Sequence, residues 1–410
     1  MASQPWTYIP DLLEEHIEEL GYLWGRRQTA LRDPDYTLKD FLYIEERIAA
    51  HRDGVRAVGD LALPLLEETL KQDDPLTTFA AAYALLQFGS PSATQRVVDT
   101  FRSAKDDRLA SLEDALRHGP IDSGLTTVQL LCHNGGAAVA VAAATALAFH
   151  SAYGSVANEI TRFLRDEDPM VRRQGWRLVA YTGADVDPKT YAAAARDAAV
   201  RRAALEAGAW CGKQSVLAVC RKLVAEPSLE TLDILELLAI LGGPEDLGLF
   251  ATVASTEALG PVRFRLVGTY GHPGLVDLLL AALADPDPAT AAEAGAAFTK
   301  ITGQNVESDR RAKLPPENGS EPDDFEAEFQ DEVTLPDSEL AQRHWELLKP
   351  QVGQAGRLRR SFEVDTGLTG DVLTALDMES RWEISLRARF SGAWSGSPLR
   401  LERFPQQGTS

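Results

Sequence analysis

Glycine recurs along the middle of this chain at an almost constant interval. The successive spacings are 29, 29, 30, 29 and 32 residues between six glycines: Gly154, Gly183, Gly212, Gly242, Gly271 and Gly303. Gly124 lies 30 residues before the first of them. A period of about 30 residues is typical of stacked supersecondary units. The sequence therefore predicts a repeat array over residues 124–304.

The repeats also share a pattern at the start of a helix. Residues 168–173 read Asp-Pro-Met-Val-Arg-Arg, residues 197–202 read Asp-Ala-Ala-Val-Arg-Arg, and residues 260–263 read Gly-Pro-Val-Arg. Aspartate caps a helix and proline fits its first turn, whereas glycine permits the left-handed residue that ends a helix. Each repeat is therefore predicted to be a helix that ends at glycine, followed by a helix that returns in the opposite direction.

The Asp-Pro-x-Val-Arg start resembles that of HEAT-type α-solenoid repeats over residues 124–304. The last repeat departs from this pattern, because residues 290–293 replace the Val-Arg step, and we interpret it as a terminal repeat. The resemblance implies an all-α fold, an α-solenoid (α-α superhelix). Abundant alanine and leucine agree with it, because both residues favour helices.

Before the array, apolar residues recur at helical spacing. We predict helices over about 11–31 and 38–58, and further helices near 61–72, 76–88, 91–104 and 108–117. Residues 1–123 are thus predicted to be an N-terminal helical unit. The adjacent carboxylates Glu45 and Glu46 are predicted to point into water.

The composition changes after the array. Residues 317–332 contain eight acids and neither lysine nor arginine, which predicts a solvated linker over 305–338. Residues 339–410 are predicted to be a small helical unit with a flexible tail. Its first helix is predicted to end at Pro350. A later helix carries an apolar stripe at four-residue steps: Met378, Trp382, Leu386 and Phe390.

The formal net charge of −20, from 61 acidic and 41 basic residues, restricts the classes of partner. It opposes nucleic acid and anionic membranes, because both require clustered cations. An acidic scaffold would suit a basic protein partner. The longest apolar stretch, residues 137–149, is too short to span a membrane. The absence of a signal peptide pattern and the three unpatterned cysteines predict a cytoplasmic protein with reduced thiols.

The sequence contains no motif for catalysis or for a cofactor. It has no phosphate-binding glycine loop, nucleophile elbow, His-Glu-x-x-His or Cys-x-x-Cys. Cys132 and His133 are adjacent, and adjacent residues of a helix do not face each other, so with His150 they make a poor metal site. We therefore predict no catalytic, cofactor-binding or metal-binding residues, and no enzyme activity.

Five residues of the repeats are weak candidates for partner binding. Trp176 and Trp210 could line a groove for a partner, although packing in the core is the simpler interpretation. Arg172, Arg201 and Arg263 occupy the same phase of successive repeats. In HEAT-like arrays such arginines tend to bond acids or carbonyls of the neighbouring repeat, and the alternative is a basic stripe that binds phosphate.

A second resemblance extends over nearly the whole chain. Residues 31–36 and 44–59, together with Leu335-Pro336-Asp337, Gly356-Arg357 and Phe404-Pro405-Gln406-Gln407, are similar to motifs of a bacterial HEAT-repeat-like family of uncharacterised function. Genes of this family often lie beside type VI secretion spike and effector genes. The resemblance implies a cytoplasmic adaptor or accessory protein for a secreted effector, and it brings no active-site residues.

The leading functional hypothesis is therefore a non-catalytic scaffold that binds a protein, and the resemblance implies a type VI effector or spike component as the partner. One alternative is an immunity or inhibitor protein of a toxin, which would share the fold and differ in the partner. A less favoured alternative is an enzyme of HEAT-like fold, such as a chromophore lyase or a DNA glycosylase. The net charge opposes the glycosylase, which needs a basic concave face.

Overall fold

The computed structural model describes residues 10–152, 154, 157–315, 330–352, 356–365 and 370–404. Contacts divide the chain into two compact units. Unit 1 comprises the described residues of Met1–Gly212, Asp377–Trp382 and Ser395–Ser410, and unit 2 those of Lys213–Leu376 and Glu383–Trp394. The divisions at 123/124 and 304/305 that follow the repeat pattern stay predictions.

Unit 1 is built from helices and short turns. The helices of its first 212 residues are α1 Pro10–Ala30, α2 Leu38–Val58, α3 Leu63–Thr69, α4 Pro75–Gln87, α5 Pro91–Ser103, α6 Asp106–His118, α7 Leu125–Asn134, α8 Ala137–Phe149, α9 Ile160–Phe163, α10 Pro169–Thr182, α11 Pro188–Ala194 and α12 Arg201–Trp210.

Unit 2 continues the helical pattern and adds four short strands. Its elements are α13 Ser215–Leu223, α14 Leu232–Leu241, α15 Leu247–Ser255, α16 Val262–Tyr270, α17 Val276–Ala282, α18 Pro288–Thr302, β1 Glu307–Lys313, β2 Glu332–Pro336, α19 Ser338–Val352, β3 Leu358–Arg359, β4 Phe362–Glu363 and α20 Gly370–Ala375. Helix α21 Met378–Ser391 contributes residues to both units, and α22 Leu399–Glu402 belongs to unit 1.

Within each unit the even-numbered helices of the repeats form a continuous layer. In unit 1, α4 contacts α6, α6 contacts α8, α8 contacts α10, and α10 contacts α12; in unit 2, α14 contacts α16 and α16 contacts α18. Most of these helices also pack against a neighbour in sequence, as α7 does against α8 and α17 against α18. This is the packing of a helical repeat. The predicted all-α, solenoid-like fold is confirmed.

The capping signals explain several repeat helices. The Asp168 side chain accepts a hydrogen bond from the Met170 amide at 2.8 Å, Pro169 opens α10, and Gly183 ends it with a φ of 66°. Only glycine adopts this left-handed conformation without strain. The regular spacing predicts the same role for every repeat glycine, and this is wrong at three of them. Gly154 does not adopt the left-handed conformation. Gly242 ends α14 with a φ of −56°, and Gly124 precedes α7 with a φ of −108°.

Two details after the array differ from the sequence prediction. Both ends of the predicted linker are ordered, because its first and last residues form the antiparallel strands β1 and β2. The acidic residues 316–329 between these strands lie outside the described residues. Helix α19 continues past Pro350 to Val352, since proline within the last turn removes little hydrogen bonding. The apolar stripe on α21 is confirmed, and its four residues are buried.

One buried arginine fixes two helix ends in unit 2. Arg357 is 2% exposed, and its guanidinium donates to the carbonyls of Tyr270 at 2.5 Å, Gly242 at 2.8 Å and Ile240 at 2.9 Å. It also donates to Ala239 and Thr269. These carbonyls lie at the carboxyl ends of α14 and α16, where a cation complements the helix dipole.

Candidate functional site

Unit 1 contains a cleft of about 460 Å³, within the usual range of about 300–1,000 Å³ for ligand sites. We call it the arginine–tryptophan cleft. It is lined by α1, α10 and α12 together with residues from the C-terminal part of the chain. Its lining includes Gln28 of α1 and Arg32 of the turn that follows α1; Met170, Arg173, Gln174, Arg177 and Tyr181 of α10; Glu206 and Trp210 of α12; and Trp382 and Glu402.

Helical periodicity brings these side chains together. On α10, Met170, Arg173 and Arg177 follow one another at steps of three and four residues, which places them on one face of the helix. On α12, Glu206 and Trp210 are four residues apart and therefore share a face in the same way. The neighbouring helices α10 and α12 thus each line the cleft with one face, which carries both charged and apolar side chains.

Glu402 is the most completely hydrogen-bonded acid of the cleft. Only 3% exposed, its carboxylate accepts hydrogen bonds from Arg117 at 2.5 Å, the Tyr181 hydroxyl at 2.6 Å and Arg177 at 2.9 Å. Arg27 donates to the backbone carbonyl of the same residue at 2.9 Å. Two cations and a hydroxyl of α6 and α10 therefore hold this single carboxylate, and a cation of α1 holds the backbone of the same residue.

This environment keeps Glu402 ionised. Burial by itself favours the neutral acid, but the charges of Arg177 and Arg117 and the hydrogen bond from Tyr181 outweigh it and lower the pKa of Glu402 to about 2. A carboxylate with so low a pKa is a poor proton acceptor near neutral pH. The chemistry of Glu402 is that of a structural anchor.

The segment that carries Glu402 is fixed on its other side by an aromatic cluster. Phe404 is buried, and its backbone N–H donates to His118 Nδ1 at 3.2 Å. The Phe404 ring centroid lies 6.3 Å from that of Trp24 and 6.4 Å from that of Tyr83. Unit 1 therefore includes a short segment of the C-terminal region in its core.

Two tryptophans and an arginine form a second wall of the cleft. The Trp210 and Trp382 rings meet edge to face, with centroids 5.5 Å apart and an interplanar angle of 76°. The Arg32 guanidinium lies over the Trp382 ring, 3.7 Å from its centroid. This arrangement combines an aromatic contact with a cation–π interaction. The Arg32 side chain remains 49% exposed.

Glu206 is the second acid of the cleft, and it pairs with an arginine of its own helix. Arg202 Nε contacts its carboxylate at 3.4 Å. Burial would raise the pKa of Glu206, but the charges of Arg202 and Arg32 outweigh burial and lower it. Arg32 itself lies 4.0 Å from both Glu206 and Glu402, at the outer limit of an ion pair.

Arg173 differs from the other charged residues of the cleft. Its Nε donates to the Ala199 carbonyl at 2.7 Å, and its Nη1 lies 3.4 Å from the Met170 sulfur. Among the residues that the structure describes, no carboxylate pairs with Arg173. The side chain is exposed, so its guanidinium can accept an anionic partner from solution.

A further acid lies close to these cations without lining the cleft. Glu113 of α6 is 4% exposed, and burial raises its pKa to about 7 despite the neighbouring charges of Arg117 and Arg177. Its environment shifts the pKa in the direction opposite to that of Glu402. Glu113 therefore titrates near neutral pH inside unit 1.

The structure places the candidates from the sequence in different settings. Trp176 is buried against Tyr191, with centroids 4.8 Å apart, whereas Trp210 lines the cleft. Arg172 donates to the carbonyls of residues 166 and 167 and to the Asp197 carboxylate, each within 3.0 Å. Arg201 is half-buried at the start of α12.

The third arginine of that series lies in unit 2. Arg263 donates to the Gly260 carbonyl at 3.0 Å and lies 4.0 Å from the Asp285 carboxylate. Arg172 and Arg263 thus bond to carbonyls and acids, as such arginines do in HEAT-like arrays, and do not form a basic stripe with open donors. Neither of them lines the cleft.

Sequence reasoning missed most residues of the cleft: Arg32, Arg173, Arg177, Trp382 and Glu402. A signal existed on α10, where an exposed methionine and two arginines recur at helical spacing among apolar residues. No signal in the sequence connects Glu402 with Arg117, because 285 residues separate them.

Two other kinds of feature, a metal site and a membrane-spanning helix, are absent from the described residues. No group of three or more His, Cys, Asp or Glu side chains there could hold a metal ion. In the same part of the chain, none of the helices is long and apolar enough to cross a membrane. Cys132 and Cys220 are buried and Cys211 is half-buried; burial raises the pKa of Cys132 to about 11, which keeps it protonated.

Comparisons with known proteins give no family for this chain. No family model matches it, and no curated protein matches it. Among solved structures, the Escherichia coli protein YibA, a structural genomics target, is similar with a TM-score of 0.42 and 15% identity, covering 62% of this chain and 96% of that one. An engineered protein has a TM-score of 0.30 and 14% identity, covering 91% and 98%. Neither likeness indicates a function.

Proposed function

We propose that this chain is a non-catalytic scaffold that binds a protein partner through unit 1. The observation that carries the proposal is the arginine–tryptophan cleft, in which exposed cations and aromatic rings from three helices surround a shared space. Arginine and tryptophan are the residues most enriched in the energetic centres of protein interfaces.

The state of the acids in the cleft supports binding over catalysis. The Glu402 carboxylate is occupied by three donors of the chain itself and has a pKa of about 2. Arg202 and Arg32 lower the pKa of Glu206 in the same manner. A general acid or base requires a pKa near the working pH and access to the substrate. These acids instead give the cleft a fixed pattern of charge.

We further propose, on the sequence resemblance, that the partner is an effector or spike component of a type VI secretion system and that the chain acts as its cytoplasmic adaptor. Helical repeats suit this role because stacked helices expose a large contact surface. An immunity protein would use the same kind of surface, but its presence would rescue cells from the toxin.

The proposal can be tested by site-specific crosslinking in cells that carry the neighbouring secretion genes. A photoreactive amino acid replaces Met170, which lies in the cleft and is 55% exposed. The matched control replaces Leu130 of α7, which is equally exposed and does not line the cleft. We expect an effector or spike protein to crosslink at position 170 and not at position 130.

Recovery of no secretion protein at either position would contradict the adaptor role. Crosslinking of a toxin, together with rescue of growth on co-expression, would replace the adaptor with an immunity protein. Equal crosslinking at positions 170 and 130 would remove the cleft from the proposed binding surface.

A further inference from the structure

We infer that the arginine–tryptophan cleft binds an acidic segment of its partner. Arg32 and Arg173 would hold a carboxylate of that segment, and an adjacent apolar side chain would contact Trp210 and Trp382. This inference rests on the proposed function, since it names the chemistry of the partner that the scaffold would take.

The balance of charge in the cleft is the first support. Three arginines line it, Arg32, Arg173 and Arg177, against two glutamates, Glu206 and Glu402. Arg177 is paired with Glu402, and Glu206 is paired with Arg202 outside the lining. Arg173 pairs with no carboxylate among the described residues. Arg32 lies 4.0 Å from Glu206 and from Glu402, and another arginine holds each of these acids more closely, so both cations can bind an added anion.

The geometry of these two cations is the second support. Arg32 stacks on the Trp382 ring, which holds its guanidinium plane while leaving it half exposed. Arg173 is tied down by the Ala199 carbonyl through Nε alone and so keeps donors available. A guanidinium held in this way is suited to a carboxylate, which it can bind through two parallel hydrogen bonds.

Glu402 provides an example of such recognition within the chain. Its carboxylate enters the same side of unit 1 on a short segment and is held by Arg117, Arg177 and Tyr181. The cleft lies directly beside this internal carboxylate, since Glu402, Arg177 and Tyr181 are all part of its lining. An incoming acid would extend an arrangement that unit 1 already contains.

The apolar part of the cleft sets a second requirement on the partner. Met170 is exposed at its edge, and the edge-to-face pair of Trp210 and Trp382 forms one wall. A purely acidic segment would leave these groups without contact. The inferred ligand therefore alternates acidic and bulky apolar residues. The net charge of −20 by itself would suggest a basic partner. The inferred ligand is acidic instead, because the local charge of a cleft decides which group binds there.

The test uses the full chain and a labelled probe peptide. Fluorescein is attached to acetyl-Glu-Leu-Glu-Phe-Glu-Leu-Glu-amide, and the control peptide carries glutamine at every glutamate position. Binding is followed by fluorescence polarisation at 0.15 M salt, and by the emission of the protein's tryptophans with unlabelled peptide. We expect saturable binding of the acidic peptide and at least tenfold weaker binding of the glutamine peptide.

Protein variants then localise the binding. Arg173→Gln is expected to weaken the acidic peptide at least fivefold, because it removes a cation with no structural ion pair among the described residues. Arg102→Gln is the matched control, since Arg102 is also an exposed arginine of unit 1 and does not line the cleft. It should leave the affinity unchanged. Circular dichroism spectra that match the parent show that both variants are folded.

Equal binding of the two peptides, or equal affinity of Arg173→Gln and Arg102→Gln, would overturn the inference. The outcome is separable from that of the proposed function. Crosslinking of an effector at position 170 that persists in Arg173→Gln would keep the scaffold and refute the acidic ligand. Arg173-dependent peptide binding without any secretion partner would keep the acidic ligand and refute the adaptor.

Discussion

Replacing Arg357 with methionine should destabilise α14 and α16 selectively. Methionine retains much of the length and apolar volume of arginine but has no donors. The substitution removes the guanidinium that Arg357 places at the carboxyl ends of both helices. The loss of stability should therefore come from the backbone carbonyls that lose a hydrogen bond.

The magnitude follows from counting the carbonyls that depend on Arg357 alone. Within the described residues, the carbonyls of Ala239 and Tyr270 have no second side-chain donor, whereas the other three also accept from Arg387 or Arg359. An unsatisfied buried carbonyl costs about 1–3 kcal/mol. Two such carbonyls would cost about 2–6 kcal/mol in stability. Loss of the buried charge relieves its repulsion with Arg387 and Arg359, so we expect a loss of about 3 kcal/mol, in the lower part of that range.

Hydrogen exchange read by mass spectrometry measures this effect locally. A loss of about 3 kcal/mol corresponds to roughly a hundredfold faster exchange in peptides from α14 and α16. Peptides from α4, in unit 1, serve as the internal reference. Arg102→Met, at an exposed position, should change the free energy of unfolding by less than about 0.5 kcal/mol.

The reasoning would be refuted by exchange in α14 and α16 that stays within threefold of the parent in the Arg357→Met variant. Arg387→Met offers a graded comparison. Arg387 shares the Ile240 and Gly242 carbonyls with Arg357 and is the side-chain donor to the Leu241 carbonyl. It should therefore produce about half the effect, and a larger effect than that of Arg357→Met would also contradict the counting of carbonyls.

Glu113 has a pKa of about 7 in the folded chain against an ordinary 4.5, so its contribution to stability is full below pH 4.5 and is lost as pH rises to 7. Urea unfolding of Glu113→Gln should therefore lack a decline of about 3 kcal/mol over that interval. Glu402, with its pKa lowered to about 2, contributes stability above pH 4.5 that is lost as pH falls towards 2. Glu402→Gln should be less stable at pH 7, by about 3 kcal/mol, and should show a weaker dependence on acid in the same assay. Gly183→Ala should lower the free energy of unfolding by about 1 kcal/mol, from its positive φ alone. Gly271→Ala should cost about twice as much or more by the same measurement, because its new Cβ would lie 2.5 Å from the Leu358 carbonyl oxygen.

Local patterns predicted the helices well. Helix α2 has the bounds read from the sequence, Leu38–Val58, because its apolar residues recur at helical spacing and a capping box of Thr37 and Asp40 fixes its start. The helix of residues 137–149 is buried as expected. In these cases the residues that determine the helix lie within a few positions of one another in the sequence.

Strands β1 and β2 could not be predicted in this way. Strand β1 reads Glu-Ser-Asp-Arg-Arg-Ala-Lys, without alternating apolar residues, and most of its residues are exposed. Its pairing with β2 comes from backbone hydrogen bonds between segments about 20 residues apart. Alternation of apolar and polar residues predicts strands with one buried face, so it cannot predict strands whose side chains are mostly exposed.

Long-range charge pairs were equally hidden. Glu45 was expected to point into water with Glu46, but it is buried and accepts two hydrogen bonds from Arg27, at 2.7 and 2.9 Å. The partner lies 18 residues earlier, on another helix. The cleft depends on the same kind of contact, so its residues could be found only after the helices were placed.

The position of Glu402 also bears on how the chain is made. Arg117 and Glu402 are 285 residues apart, so at about 5–20 residues per second a ribosome adds the acid roughly 15 to 60 seconds after the arginine. Throughout that interval Arg177 lacks its ion pair with Glu402, and Arg117 keeps only its ion pair with Asp114. The nascent chain is therefore open to chaperones and proteases until α22 emerges, and premature termination upstream of α22 would leave a product without this carboxylate, which protein quality control can distinguish.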